Sequence, residues 1–211
     1  MTTIFISGSR AISRLNSLVL QRLNNIVNQN FNIVVGDANG IDKAIQRYLV
    51  NLSYQNVTVY CSGSSCRNNL GNWAEQHITV PNHIKGRDFY TQKDLAMAKV
   101  ADYGFILWDG KSIGSFNNLV KLQKQNKKVL VYFSPENGFH TINNLQSTLK
   151  LMEKCEPEIA NELKAKLKNM VKAVIPRVEV AKASFNFTLA SANYSLLLNN
   201  KEEVSDMLHI S

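Results

Sequence analysis

The chain has no run of roughly 18 apolar residues, so no segment reads as a membrane span. Its first ten residues, MTTIFISGSR, lack the basic start and long apolar stretch of a secretory signal. They read as a first strand, and the expectation is a cytoplasmic protein with no membrane partner. Cysteine is scarce. Cys61, Cys66 and Cys155 are an odd number in 211 residues, which argues against a disulfide framework and fits a reducing compartment. Cys61-x4-Cys66 has no second ligand pair in sequence, so no metal site is expected. His77, His83, His140 and His209 form no H-E-x-x-H or triad pattern. Neither the Rossmann G-x-G-x-x-G nor the P-loop pattern occurs, and no cofactor is expected. The charged share of 19% and apolar share of 45% exclude a disordered chain.

Acidic residues are the scarcer charge, and the net charge is +8. The surplus is uneven. Residues 1–139 hold 15 Lys+Arg against 8 Asp+Glu, whereas residues 140–211 hold 9 against 8. The basic part also carries the glycine loops. That combination suits an anionic ligand, phosphate or nucleic acid, and equally a generally basic, soluble surface.

Apolar runs alternate with amphipathic ones through this first part. TTIFIS, FNIVVGD, NVTVYCSG, YGFILW and KKVLVYF read as strands. LNSLVLQRLNNIVNQ puts Leu15, Leu18, Val19, Leu23, Ile26 and Val27 on one helical face, and IDKAIQRYLVNL does so with Ile41, Ala44, Ile45, Tyr48 and Leu49. YTQKDLAMAKVA is a third helix with Thr91 as N-cap, and SFNNLVKLQKQN a fourth opening at Ser115. Residues 62–87 read as a long, irregular exposed segment. The strands are continuous apolar runs, as in sheets covered on both faces. The predicted fold is α/β, a three-layer Rossmann-like domain over 1–139 with a mostly parallel sheet. A largely helical extension over 140–211 is expected to follow. It contains the amphipathic run EPEIANELKAKLKNMVKAVI, with Pro157 in the first turn and Pro176 ending it, and the ambiguous SFNFTLASANYSLLL.

Four loops at the carboxyl ends of strands could carry chemistry. SGSR offers Gly8, Ser9 and Arg10, a close-approaching backbone with a hydroxyl and a guanidinium. GDANGID offers Gly36, Asp37, Gly40 and Asp42 before a helix whose amides attract anions, although Asp42 also suits a helix cap. GRDFYTQKDLAMA brings Arg87, Tyr90, Lys93 and Asp94. Lys93, read as early in its helix, is disfavoured by the helix dipole and needs another partner, of which an anionic ligand is one candidate. DGKSIGSFNN offers Gly110, Gly114 and Ser115 at a positive helix end, with Asn118 one turn on. Trp108 or Tyr90 would contact a base, although packing is the simpler role for a tryptophan.

GSR followed by GDANGIDKA, then KDLAM at 93–97 and GSFNN at 114–118, resembles in order and spacing the motifs of the SLOG superfamily, named for its Smf/DprA and LOG branches. The resemblance covers residues 3 to about 133. It implies a Rossmann-like fold, a nucleotide or related ligand, and a homodimer. LOG members hydrolyse the N-glycosidic bond of nucleoside 5′-monophosphates. Their Arg position falls on Lys93 here, their Thr on Ser115 and their catalytic Glu on Asn118. An amide cannot act as a general base. The departures thus touch the chemistry and spare the phosphate cradle. The expected function is binding or sensing of a phosphorylated nucleotide-like ligand. One alternative is an N-glycosidase or deoxyribosyltransferase using Asp94, Asp42 or Asp109, among which the sequence does not choose. The other is binding of single-stranded nucleic acid, as in the DprA branch.

Overall fold

A computed structural model describes residues 1–172. Residues 1–164 form one compact unit. Its centre is a seven-stranded sheet of β1 (Thr3–Gly8), β2 (Asn32–Gly36), β3 (Val57–Ser62), β4 (Ala74–Ile78), β5 (Tyr103–Trp108), β6 (Val129–Phe133) and β7 (Gly138–Ile142). The spatial order is β4-β3-β2-β1-β5-β6-β7. Every neighbouring pair is parallel except β6 with β7. The helices are α1 (Ser17–Asn28), α2 (Ile41–Asn51), α3 (Gly86–Val100), α4 (Ile113–Gln123), α5 (Leu145–Met152) and α6 (Pro157–Lys172). This is the expected α/β, mostly parallel Rossmann-like architecture.

The five apolar runs became five inner strands because both their faces are covered. Phe5, Ile6, Ile33, Val35, Val59, Leu107, Val129 and Val131 are wholly buried. The faces predicted for α1 and α2 hold in part. Val19, Leu23 and Ile26 are buried under α1, while Leu18 is exposed and Leu15 precedes the helix. The α1 cap is Asn16, whose side chain accepts from Val19 N at 3.0 Å.

Three elements depart from the sequence reading. Within 62–87, read as irregular, β4 adds an edge strand of the polar sequence AEQHI, nearly all of it exposed. An edge strand can satisfy the ladder without an apolar face, so its pattern carries no hydrophobic signal. Helix α3 begins at Gly86, so Thr91 lies inside it and caps nothing; its Oγ1 donates to Asp88 O at 2.8 Å. The sheet also runs past residue 139, where the sequence reading ended the first domain. A short 3-10 turn at Ser134–Glu136 sends the chain back as β7, antiparallel on the edge. Helix α6 starts at Pro157 as expected. The ambiguous run from Ser184 and the stop at Pro176 lie outside the described residues. Among those residues no helix is long and apolar enough to cross a membrane.

Sheet order fixes where a ligand fits. The chain proceeds outward from β1 through β2 and β3 to β4, then crosses back to β5 on the other side of β1. Connections leaving β1 and β5 therefore diverge to opposite faces and open a crevice at the carboxyl edge between them.

Candidate functional site at the carboxyl edge

A cleft of about 560 Å³ lies at that crevice. Its lining comes from five places: Ser7, Gly8 and Arg10 after β1; Ala38 and Asp42 after β2; Arg67 after β3; Gly86 to Asp94 on α3; and Ser112 to Asn118 at the start of α4. The volume suits a mononucleotide-sized ligand.

The loops are locked together before any ligand arrives. Ser9 is turned inward, and its Oγ donates to Asp109 Oδ2 at 2.6 Å while accepting from Ala11 N at 3.1 Å. The other Asp109 oxygen accepts from the backbone of Lys111 (3.1 Å) and Ser112 (2.7 Å). Asp109 thus ties the β5 loop to the β1 loop across 100 residues and does not line the cleft. Trp108 is buried against Phe116 and Phe133, with Nε1 donating to Ser112 O at 3.0 Å. It shapes the loop from inside the core and offers no face to the cleft. Gly110, at φ +76°, makes the turn that a side chain would strain. Gly40, at φ +80°, packs directly against the Arg10 backbone, where a Cβ would overlap it.

Helix α4 begins two residues earlier than its sequence suggests, at Ile113. Its cap is Ser112, whose Oγ accepts from Ser115 N at 3.5 Å. Gly114 and Ser115 therefore sit in the first turn, at the positive end of the helix dipole. A Cβ on Gly114 would meet nothing nearer than Arg87 Nη2 at 3.8 Å, so the glycine leaves open space on the cleft side. Arg10 and Arg87 are exposed, line the cleft and have no carboxylate partner among the described residues.

Lys93 behaves differently from the sequence expectation. Because α3 starts at Gly86, Lys93 lies in the helix interior, is 4% exposed, and has protein partners already. Its Nζ is 3.1 Å from Asp94 Oδ1, 3.7 Å from Asp42 Oδ2 and 3.9 Å from Asp37 Oδ1. Burial works to lower its pKa, but the three carboxylates outweigh that and raise it, so the ammonium is kept. No dipole argument is needed: three aspartates, and not an external anion, satisfy it. Gly36 makes the arrangement fit, because a Cβ there would overlap both Lys93 Nζ and Asp42.

The three carboxylates differ. Burial raises Asp37, but hydrogen bonds from Arg67 and the nearby Lys93 charge outweigh it and hold Asp37 below its ordinary range. Arg67 reaches Asp37 through Nη2 at 2.6 Å, Nε at 2.9 Å and its backbone N at 3.1 Å, and its guanidinium lies 4.4 Å from the Tyr90 ring centre. Asp94 faces Lys93 on one oxygen and Lys121 Nζ, at 3.8 Å, on the other. Asp42 is buried at the cleft wall. Burial, partly offset by Lys93, pushes it up to about 6, and its Oδ2 accepts from Ala38 N at 3.2 Å. Asn118 is buried too; its amide donates to Ser7 Oγ at 3.3 Å and its oxygen accepts from Lys121 at 3.2 Å.

Of the residues singled out from sequence, Gly8, Arg10, Asp42, Lys93, Asp94, Gly114, Ser115 and Asn118 line one cleft. Ser9, Gly36, Asp37, Gly40, Trp108, Asp109 and Gly110 do not line it but surround it as its walls and ties. Arg67 was missed. It lies in the segment read as irregular, and only its neighbour Cys66 gave any signal. The structure joins Cys66 to Cys61 as a disulfide, although the odd number of cysteines argues against a disulfide framework.

No protein-family model matches this chain. No curated protein matches it either. It is similar to a solved structure of DNA processing protein A from Helicobacter pylori, reported for the single-stranded DNA binding mode of that protein. The two share 18% identity over 80% of this chain and 81% of the other, with a TM-score of 0.49. The chemistry of the cleft is therefore read from its own residues.

Proposed function

We propose that the chain binds a nucleotide or a phosphorylated nucleotide-derived ligand in the carboxyl-edge cleft. One observation carries this reading: Arg10 and Arg87, with no carboxylate partner among the described residues, line one cleft with the first turn of α4, and Arg87 lies beside Gly114. Guanidiniums and free helix amides are the standard holders of phosphate oxygens. Tyr90, 45% exposed and backed by Arg67, is the aromatic surface available to a base. The Lys93 cluster sets the floor and contributes little net charge.

A panel of mono- and dinucleotides, with inorganic phosphate and a short single-stranded oligonucleotide, tests this by thermal shift and calorimetry. A mononucleotide should raise the melting temperature. Arg10→Ala and Arg87→Ala should each weaken it by roughly 10- to 100-fold, as expected for a lost charge-assisted contact. No heat from any nucleotide refutes the proposal. Binding of the oligonucleotide alone, weakening steeply with salt, would favour the nucleic-acid alternative for the same arginines.

The enzymatic reading is favoured by Asp42. A buried carboxyl pushed to about 6, beside a lysine and on a ligand-sized cleft, has the tuning expected of a general acid or base. Free base released from a nucleotide, and abolished in Asp42→Asn, would support hydrolysis or transfer. Release unchanged in that variant would remove Asp42 from it.

A further inference from the structure

The cleft leaves unused a second cluster between β3 and β4. Cys61, buried near the end of β3, has His77 of β4 as its register partner. Partners on adjacent parallel strands project to the same face, with the strands about 4.8 Å apart. Cys66 returns to this point after a tight loop, its Cα 5.2 Å from that of Cys61. One ligand atom of each residue lies within 4.8 Å of the other two. The cluster grades from buried Cys61 through half-buried Cys66 to exposed His77, so solvent reaches one side of it.

Sequence spacing alone counted against a metal here, because it showed only two ligands. Strand pairing supplies the third from 16 residues beyond Cys61. Two thiolates and an imidazole are a soft to borderline donor set that selects zinc-class ions over magnesium or calcium. A tetrahedral ion with bonds of about 2.3 Å to sulfur and 2.0 Å to nitrogen separates its ligand atoms by roughly 3.5–3.8 Å. The three ligand atoms lie within 4.8 Å of one another, and opening the S–S bond frees the two sulfurs to separate to that spacing. His77 is also oriented from behind: Nε2 lies 2.9 Å from Glu75 Oε2, and Nδ1 lies 3.1 Å from the Gly63 carbonyl. A carboxylate on the far nitrogen is the arrangement that fixes ligating histidines.

We propose that Cys61, Cys66 and His77 form a binding site for a zinc-class ion, available when the Cys61–Cys66 disulfide is reduced. A dithiol reductant supplies the two electrons and two protons that convert the S–S bond to two thiols, and is itself oxidised to a disulfide. The ion then displaces the thiol protons, takes His77 through Nδ1 in place of the Gly63 carbonyl contact, and keeps water in its fourth position.

The test uses the full chain, reduced and then freed of reductant under anaerobic conditions, with Co²⁺ as the spectroscopic probe. One equivalent should bind with thiolate charge-transfer absorption and tetrahedral ligand-field bands, and one equivalent of Zn²⁺ should displace it. The oxidised chain should show neither band. His77→Ala should weaken binding at least about tenfold. In the unsubstituted reduced chain, Zn²⁺ should protect Cys61 and Cys66 from alkylation and leave Cys155 as reactive as before. Failure of the reduced chain to take up stoichiometric cobalt, undiminished affinity in His77→Ala, or equal alkylation of all three thiols with and without Zn²⁺ would overturn the assignment.

Discussion

Replacing Asp42 with Asn should change how stability depends on pH, by an amount the surroundings of Asp42 set. The carboxyl is buried, and this, against the pull of Lys93, lifts it from an ordinary 3.8 to about 6. A raised acid pKa means the folded chain holds its proton more tightly than the unfolded chain. Between these two values the native state binds the extra proton, so the contribution of Asp42 is fully present below about pH 4 and is lost as pH rises through 6. Two units at 1.36 kcal/mol each amount to about 3 kcal/mol. Asparagine does not titrate, yet its oxygen can still accept from Ala38 N. The measurement is urea unfolding followed by circular dichroism at several pH values from 4 to 8, for both proteins. Carboxylates outside the Lys93 cluster titrate alike in both and cancel in the difference. The stability of Asp42→Asn minus that of the parent should therefore rise by about 2.4 kcal/mol from pH 4 to pH 7, the rest of the change falling below pH 4, and be flat above pH 7. A difference that is constant with pH would refute the reasoning. So would one that falls, which would mean that Lys93 holds Asp42 below its ordinary value.

Lys93→Met should cost about 3–5 kcal/mol at pH 8, where it strips Asp42 of its nearest cation, and less at pH 5, where Asp42 can take up a proton; equal losses at both would contradict this. Gly36→Ala should be destabilising by more than about 1 kcal/mol in chemical unfolding, because its methyl overlaps Lys93 Nζ and Asp42. Trp108→Phe should cost about 1–2 kcal/mol by loss of its bond to Ser112 O and some packing, and should change nucleotide affinity less than Arg87→Ala does when both are measured by calorimetry.

Legibility in the sequence followed burial. Runs such as TIFIS and VLVYF announce themselves because they pack on both faces, and the loops after them were found because glycine interrupts such runs. AEQHI and GFHTI, the two edge strands, carry no such pattern, so the sheet was read as five strands instead of seven. The start of α3 was hidden for a related reason: GRDFYTQ is polar and mostly exposed, and only from Lys93 onward does the helix bury side chains. That difference of one to two turns moves Lys93 into the helix interior, beside three aspartates. The partnerships that organise the site join residues far apart in sequence, Ser9 with Asp109 and Asp37 with Arg67, and no local pattern encodes them.

These long-range partnerships also decide which groups remain for a ligand. Asp37 takes Arg67, and Asp94 takes Lys93 and Lys121, while Asp42 stands at the edge of ionisation. The interior charges are therefore close to mutual satisfaction, and an anion gains little from Lys93 that it does not lose to the aspartates around it. On the proposed reading, the attraction comes from the rim, from Arg10, Arg87 and the first turn of α4. Asn118 fits the same account. Its oxygen lies 3.2 Å from Lys121 Nζ, which also serves Asp94. A carboxylate at position 118 would compete for that lysine and add a further buried negative charge beside Asp94 and Asp42. The neutral amide avoids this conflict and still holds Ser7 in place. Burial raises the affinity of Asp42 for a proton into the working range, which makes this cleft-lining carboxyl the acid–base candidate that the surroundings themselves tune.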